Sequence, residues 1–114
     1  MPHIRVSTTA ALTEAKKDNL KSALGKAISL IPGKSETWLM TTIHQEDYMS
    51  FKGSSENPLV FAEVSLFGSA SDSAYDALTA KLTEVFCSEL GVDPAGVYIK
   101  YEEISHWGWN GNNF

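Results

Sequence analysis

The strongest constraint on the fold of this chain is a strand-helix-strand pattern that occurs twice. His3–Ser7 alternates apolar and polar residues like a short strand, and the apolar segment Leu59–Phe67 starts a second copy near the middle of the 114 residues. Each helical segment is long enough to cross over a sheet and return to a parallel strand. The pattern predicts one domain over residues 1–114, of the α+β class, with a four-stranded mixed sheet and both helices on one face.

The two helices carry start and stop signals. Apolar residues recur at helical spacing from Thr13 to Ile31, where Thr13 can cap the first turn and Pro32-Gly33 ends the helix. The second helix is predicted from Asp72 to Leu90, because Gly91 directly after it is a common helix stop.

The remaining strands are predicted from alternation. Thr37–His44 would place Trp38 on the same face as Met40, and Val97–Glu103 would form the last strand. Tyr48–Phe51 is a further candidate for a short strand.

With both helices on one face, the other face of the sheet is left bare. We expect apolar side chains there, over an area larger than a monomer normally exposes. A second copy of the chain is the simplest cover, so the sequence predicts an oligomer. The residues expected on this face, or next to it, are Leu39, Ile43, Val60, Val64 and Tyr101.

Composition excludes several classes of function. The net charge is −5, and the nine basic residues form no cluster, which argues against a nucleic acid or an anionic membrane as partner. The single Cys87 allows neither an intrachain disulfide nor a cysteine-rich zinc site. The spacing of His3, His44 and His106 fits no metal site, so neither a metal nor a cofactor is expected.

No signal peptide or long apolar run is present, which predicts a cytoplasmic protein. Secretion would then require a non-conventional route.

The residue with the clearest chemical potential is Pro2. Removal of Met1, which a small second residue permits, would leave a secondary amine at the start of a strand. A free α-amino group titrates near pH ~7.7–8.0, and burial or a neighbouring cation lowers its pKa. Such an amine can serve as a general base near neutral pH.

Several motifs together resemble one family. These motifs occur in the same order as in the macrophage migration inhibitory factor family of the tautomerase superfamily, whose members start with a proline. The resemblance implies a homotrimer with active sites at subunit interfaces, and keto–enol tautomerase activity on phenylpyruvate and dopachrome-type substrates. The terminal proline would be the base, so activity would require removal of Met1. The matching segments are Pro2, Gly33-Lys34, Phe51–Glu56, Val97–Tyr101 and Trp107–Asn110.

The resemblance also assigns roles to individual residues. Lys34 would bind the substrate carboxylate and lower the pKa of Pro2, and the backbone amide of Phe67 would bind substrate. Tyr98 would reach the substrate ring from the neighbouring subunit. Trp38, Trp107 and Trp109 would form the aromatic wall of the pocket.

The sequence departs from the family pattern in three places. Lys100 stands where the best-known members have an asparagine beside the substrate, and we expect it to be a second cation of the pocket. Leu59 and Ala62 replace a Cys-x-x-Cys pair, which removes any thiol oxidoreductase chemistry. The segment Ile104–His106 is about two residues shorter than in the family.

Two other functions are alternatives to a tautomerase. One is a cytokine-like signalling protein that binds a cell-surface receptor and keeps an incidental tautomerase site. The other is hydration or dehalogenation chemistry, which superfamily relatives perform with arginines. The second is disfavoured because Arg5 is the only arginine.

Overall fold

The computed structural model describes the whole chain, from Met1 to Phe114. Its main sheet has four strands in the order β2-β1-β3-β4. β1 is parallel to β2, β3 is parallel to β4, and the central pair β1 and β3 is antiparallel. The predicted mixed sheet built from two β-α-β units is therefore confirmed. The strands are β1 Pro2–Thr8, β2 Met40–Gln45, β3 Val60–Phe67 and β4 Val97–Ile104.

The two helices are α1, Glu14–Ala27, and α2, Asp72–Leu90. The Thr13 side chain caps α1 by accepting a hydrogen bond from the backbone of Lys16. Gly91 ends α2 in the left-handed conformation, as predicted. The first helix is shorter than expected, because its last predicted turn, Ile28–Leu30, is a 3₁₀ helix.

Both helices pack on the same face of the sheet. The buried residues of β1 and β3 join those of α1 and α2 in one hydrophobic core, which confirms the predicted layers. The largest fully buried side chains include Phe86, Ile4, Leu20, Leu24, Leu78 and Leu82.

The prediction for the bare face of the sheet was wrong. Val60 and Val64 are only 2% and 1% exposed and lie in the core. Leu39, Ile43 and Tyr101 pack against that same core and stay partly buried. Because side chains alternate along a strand, the helices select one set, and the opposite set faces outward. That opposite set is largely polar and includes Arg5, Glu63 and Lys100.

The segment before β2 also differs from expectation. Glu36–Trp38 forms a 3₁₀ helix, and the strand begins only at Met40, which pairs with His3. In the parallel register that pairs His3 with Met40, Trp38 would lie opposite Met1, which precedes the first residue of β1. Trp38 therefore lies outside the sheet.

No strand forms at Tyr48–Phe51. Phe51 and Ser54 instead exchange two backbone hydrogen bonds of 2.8 and 3.0 Å across a tight turn. Lys52 and Gly53 at the tip of this turn have φ angles of 53° and 77°. The turn stands alone, because Phe51 and Ser54 form an isolated bridge without a neighbouring strand.

The chain ends in a small hairpin that was not predicted. Its strands are β5, Gly108–Trp109, and β6, Asn112–Asn113. Asn110 and Gly111 connect them with φ angles of 52° and 83°, as expected for a two-residue hairpin turn. None of the helices has the length and hydrophobicity required to cross a membrane.

Candidate functional site

A turn after the first helix places Lys34. The Lys34 N–H donates to the carbonyl of Ile31 at 3.0 Å, which closes a four-residue turn around Pro32-Gly33. The φ of 81° at Gly33 suits the third position of a type II turn, which favours glycine. The Lys34 side chain then donates from Nζ to the carbonyl oxygen of Phe67 at 2.8 Å.

The same residue, Phe67, also contacts the amino terminus. Its backbone N–H donates to the carbonyl oxygen of Met1 at 2.9 Å. That carbonyl is bonded to the nitrogen of Pro2, so the Pro2 nitrogen lies within about 5.5 Å of the Phe67 nitrogen by standard bond lengths. The structure thus brings together Pro2, Lys34 and the backbone of Phe67.

The environment of the amino terminus disfavours a positive charge. The pKa of the Met1 α-amino group is lowered from its ordinary 8.0, foremost by burial and further by the charge of Lys34 and a hydrogen bond with it. Pro2 itself is buried.

An open cleft of about 710 Å³ adjoins the amino terminus. Lys34 and Phe67 do not line it, although both contact Met1, which does. Met1 is therefore the residue that the cleft shares with the contacts of Lys34 and Phe67. The residues that line the cleft are Met1, Pro2, His3, Thr37, Trp38, Leu39, Met40, Ser65, Ile104, Trp107, Gly108 and Trp109.

Aromatic side chains form one wall of this cleft. The rings of Trp38 and Trp109 meet edge to face, with centroids 4.9 Å apart. The terminal Phe114 stacks on Trp109 at 6.4 Å and contacts Phe67 at 5.8 Å. The backbone N–H of Phe114 donates to the carbonyl of Trp107, which closes the hairpin. The cleft can therefore accommodate a planar aryl group.

Two of the residues expected in the site lie elsewhere in the chain. Tyr98 pairs with Phe61, whereas Pro2 pairs with Leu66, five residues along β3. This offset corresponds to about 17 Å along the strand. Tyr98 packs instead against the ring of Phe51, with centroids 4.8 Å apart.

Lys100 lies on the bare face of the sheet, between two carboxylates. Its Nζ is 3.2 Å from Oε1 of Glu63 and 3.1 Å from Oε1 of Glu102. Hydrogen bonds to Glu102 and Glu63 raise the pKa of Lys100. Arg5 also approaches Glu63, at 3.8 Å. Within one chain, Lys100 belongs to this row of charges and not to the cleft at Pro2.

Two further residues at this end of the sheet were not predicted from the sequence. His3, which the sequence excludes only from a metal site, lines the cleft beside Pro2. Phe114 completes the aromatic cluster. Strand alternation could have identified His3, since it places this side chain on the bare face next to the amine. No group of three or more His, Cys, Asp or Glu side chains is placed to hold a metal ion.

The fold and the position of the cleft define a protein of the tautomerase superfamily. The sequence profile described as Macrophage migration inhibitory factor (MIF) matches residues 1–114. The chain belongs to the macrophage migration inhibitory factor family. Comparison with curated protein sequences gives no match.

Solved structures of this family from distant organisms are similar to the chain. MIF2 from Leishmania major is 29% identical, with a TM-score of 0.92 and coverage of 100% of this chain and 97% of the other. The homologue from Prochlorococcus marinus is 25% identical, with a TM-score of 0.82 and 98% of each chain covered. The Toxoplasma gondii factor is 24% identical, with a TM-score of 0.82 and coverage of 98% and 99%.

Proposed function

We propose that this protein is a keto–enol tautomerase for aryl 2-keto acids such as phenylpyruvate, and for dopachrome-type substrates. The base is the Pro2 amine after removal of Met1. One observation carries the proposal: Phe67 bonds both to Lys34 and to the peptide of Pro2, beside a cleft with an aromatic wall. A base, a cation and a backbone donor thereby converge at one place.

Removal of Met1 would have three linked effects. It would convert the Pro2 nitrogen from an amide, which has no basic lone pair, into an amine. It would free the Phe67 N–H, which now donates to the Met1 carbonyl. It would also take away the residue that lines the cleft and contacts Lys34, which would leave more room next to the Lys34 ammonium. The same cleavage therefore creates the base and exposes its partners.

The chemistry follows from these groups. The Pro2 amine removes a proton from C3 of the keto acid, and the resulting enolate oxygen takes a proton from water. The hydroxide that remains takes the proton of the Pro2 ammonium, which restores the amine and the water. Lys34 and the Phe67 N–H bind the carboxylate, and Trp38, Trp107 and Trp109 contact the aryl ring. The charge of Lys34 and the burial of the site favour the neutral amine at the start of the cycle.

The proposed site is completed by a neighbouring copy in a homotrimer. Tyr98 lies far along the sheet from Pro2 of its own chain, and Lys100 is held there by Glu63 and Glu102, so both are assigned to the site of another subunit. In that arrangement Tyr98 offers its hydroxyl to the substrate and Lys100 adds a second positive group.

A receptor-binding, cytokine-like role is the second candidate. Membership in the family supports it, and it would require the protein to be secreted. It differs from the first candidate in one testable respect: Pro2→Gly would remove most of the catalytic activity and leave receptor binding intact.

The test combines intact-mass analysis with a phenylpyruvate assay. Protein without Met1 is expected to be active, whereas protein that retains Met1 is expected to be inactive. Pro2→Gly should lose most of kcat/KM while the oligomer persists. Full activity with Met1 still present would contradict the proposal, because the amide nitrogen of Pro2 cannot act as a base.

A further inference from the structure

The cleft contains one ionisable side chain, and the mechanism above gives it no role. That side chain is the imidazole of His3; the other side chains lining the cleft are apolar, hydroxylic or indole groups. His3 follows Pro2 directly in β1 and points to the bare face of the sheet, where it is half-buried. It is therefore the ionisable side chain nearest in sequence to the proposed base.

A neighbouring strand holds the imidazole in place. Nε2 of His3 lies 2.9 Å from Oγ1 of Thr42 in β2, at hydrogen-bond distance. The other ring nitrogen, Nδ1, has no hydrogen-bond partner in the chain. The structure contains no buried side-chain nitrogen or oxygen without a partner, so Nδ1 is accessible to solvent, and the His3 side chain lines the cleft. One nitrogen is thus anchored and the other is free.

We infer that His3 is a substrate-binding residue whose Nδ1 donates a hydrogen bond to the C2 oxygen of the keto acid. This inference rests on the proposed function. Removal of the C3 proton places negative charge on that oxygen, and a preorganised donor stabilises such charge. Lys34 and the Phe67 N–H are already assigned to the carboxylate. When the Thr42 hydroxyl donates to Nε2, the imidazole proton resides on Nδ1, where the substrate needs it.

The test is a binding measurement that needs no turnover. Phenyllactate keeps the aryl ring, the carboxylate and an oxygen on C2, whereas 3-phenylpropionate lacks that oxygen. Calorimetry on protein without Met1 should show phenyllactate bound more tightly, by roughly 3- to 10-fold for one hydrogen bond. His3→Leu should abolish this preference and leave the affinity for 3-phenylpropionate nearly unchanged.

Two polar variants make the test specific for one ring nitrogen. The side-chain amide of His3→Asn can take the position of Nδ1 and should keep part of the preference. The longer amide of His3→Gln takes the position of Nε2, so this variant should lose the preference for phenyllactate. His44→Leu is the matched control. His44 lies in β2 on the same face of the sheet as His3, but it contacts Glu46 and does not line the cleft. If circular dichroism shows that His3→Leu does not fold, the difference in preference between His3→Asn and His3→Gln tests the inference.

The possible failures can be told apart. If His3→Leu still prefers phenyllactate while the wild-type protein without Met1 turns over phenylpyruvate, the inference is overturned and the proposed function stands. If Ser65→Ala loses the preference for phenyllactate and His3→Leu keeps it, the contact to the C2 oxygen belongs to Ser65, and the inference on His3 is overturned. If the protein without Met1 neither binds these acids nor acts on phenylpyruvate, the proposed function fails and the inference fails with it.

Discussion

Lys34 Nζ donates a hydrogen bond of 2.8 Å to the carbonyl oxygen of Phe67 and so connects the two β-α-β units. Lys34 follows the helix of the first unit, and Phe67 ends the first strand of the second. A lysine ammonium is held in this way beside the amino terminus, where burial foremost, and the lysine charge in addition, lower the pKa of the α-amine. The base and the cation of the proposed site are thus coupled by the fold.

Replacement of Lys34 tests this coupling. Lys34→Ala is expected to raise KM for phenylpyruvate by roughly 10- to 100-fold, because a hydrogen bond to a charged group contributes about 1.5–3 kcal/mol. Loss of the positive charge also raises the pKa of the Pro2 amine, so the rising limb of kcat/KM moves to higher pH. Lys26→Ala, at the exposed end of α1, is the control. An unchanged KM and pH profile would show that Lys34 takes no part in the reaction.

The unprocessed protein provides a second measurement of the same effect. In Lys34→Ala that retains Met1, the pKa of the Met1 α-amine should rise towards 8.0 without reaching it, because burial, the larger cause of the lowering, remains. A nuclear magnetic resonance titration of the amino terminus measures this directly. No shift would mean that the ammonium of Lys34 does not act on the amine.

The assembly is expected to be a trimer of about three times the 12.5 kDa chain mass, measured by light scattering. Active sites shared between subunits also predict complementation. Pro2→Gly and Tyr98→Ala should each be weakly active, and mixed trimers of the two should regain activity, because some sites then combine an intact Pro2 with an intact Tyr98. A monomer, or the absence of complementation, would argue against a shared site.

Lys100→Asn should raise the kinetic pKa of Pro2 by less than Lys34→Ala does. Its positive charge is already paired with Glu63 and Glu102, so its removal changes the field at a neighbouring subunit only partly. Glu63→Gln should have the opposite effect and lower that pKa, since it leaves Lys100 and Arg5 less neutralised. The pH dependence of kcat/KM measures both. If Lys100→Asn, Glu63→Gln and the wild-type protein have the same pH profile, Lys100 lies away from the Pro2 amine of every subunit.

Thr8 is the one buried polar side chain of the core, and its hydroxyl is expected to stabilise the fold. Its Oγ1 donates to the carbonyl of Leu59 at 2.8 Å and accepts from the N–H of Ala10 at 3.0 Å. Thr8→Val keeps the shape but leaves a buried donor unpaired, which should lower the free energy of unfolding by about 1–3 kcal/mol. Thr8→Ser keeps the hydroxyl and is the control. Urea unfolding at one protein concentration compares them, and a Val variant as stable as wild type would contradict the expectation.

Strand and helix positions were largely predictable, because local signals specify them. The cap at Thr13 and the stop at Gly91 appear where the sequence predicts them. Errors arose where the outcome depends on a neighbour. Alternation predicts Trp38 in a strand, but no β1 residue lies beside it to pair with. The hairpin after Trp107 was missed because its strands are only two residues long.

The sequence alone determined the repeated β-α-β order, the family and the identity of the residues proposed for the site, because periodicity, caps and motifs are properties of neighbouring residues. Only the tertiary structure decided which strand face the helices cover. Both faces of β3 carry apolar residues, and packing chose the set that contains Val64 and left Glu63 and Lys100 outside. The tertiary structure also decided that Lys34 reaches Phe67 and that His3 enters the cleft, since these contacts depend on strand register and on a turn that local propensity does not specify.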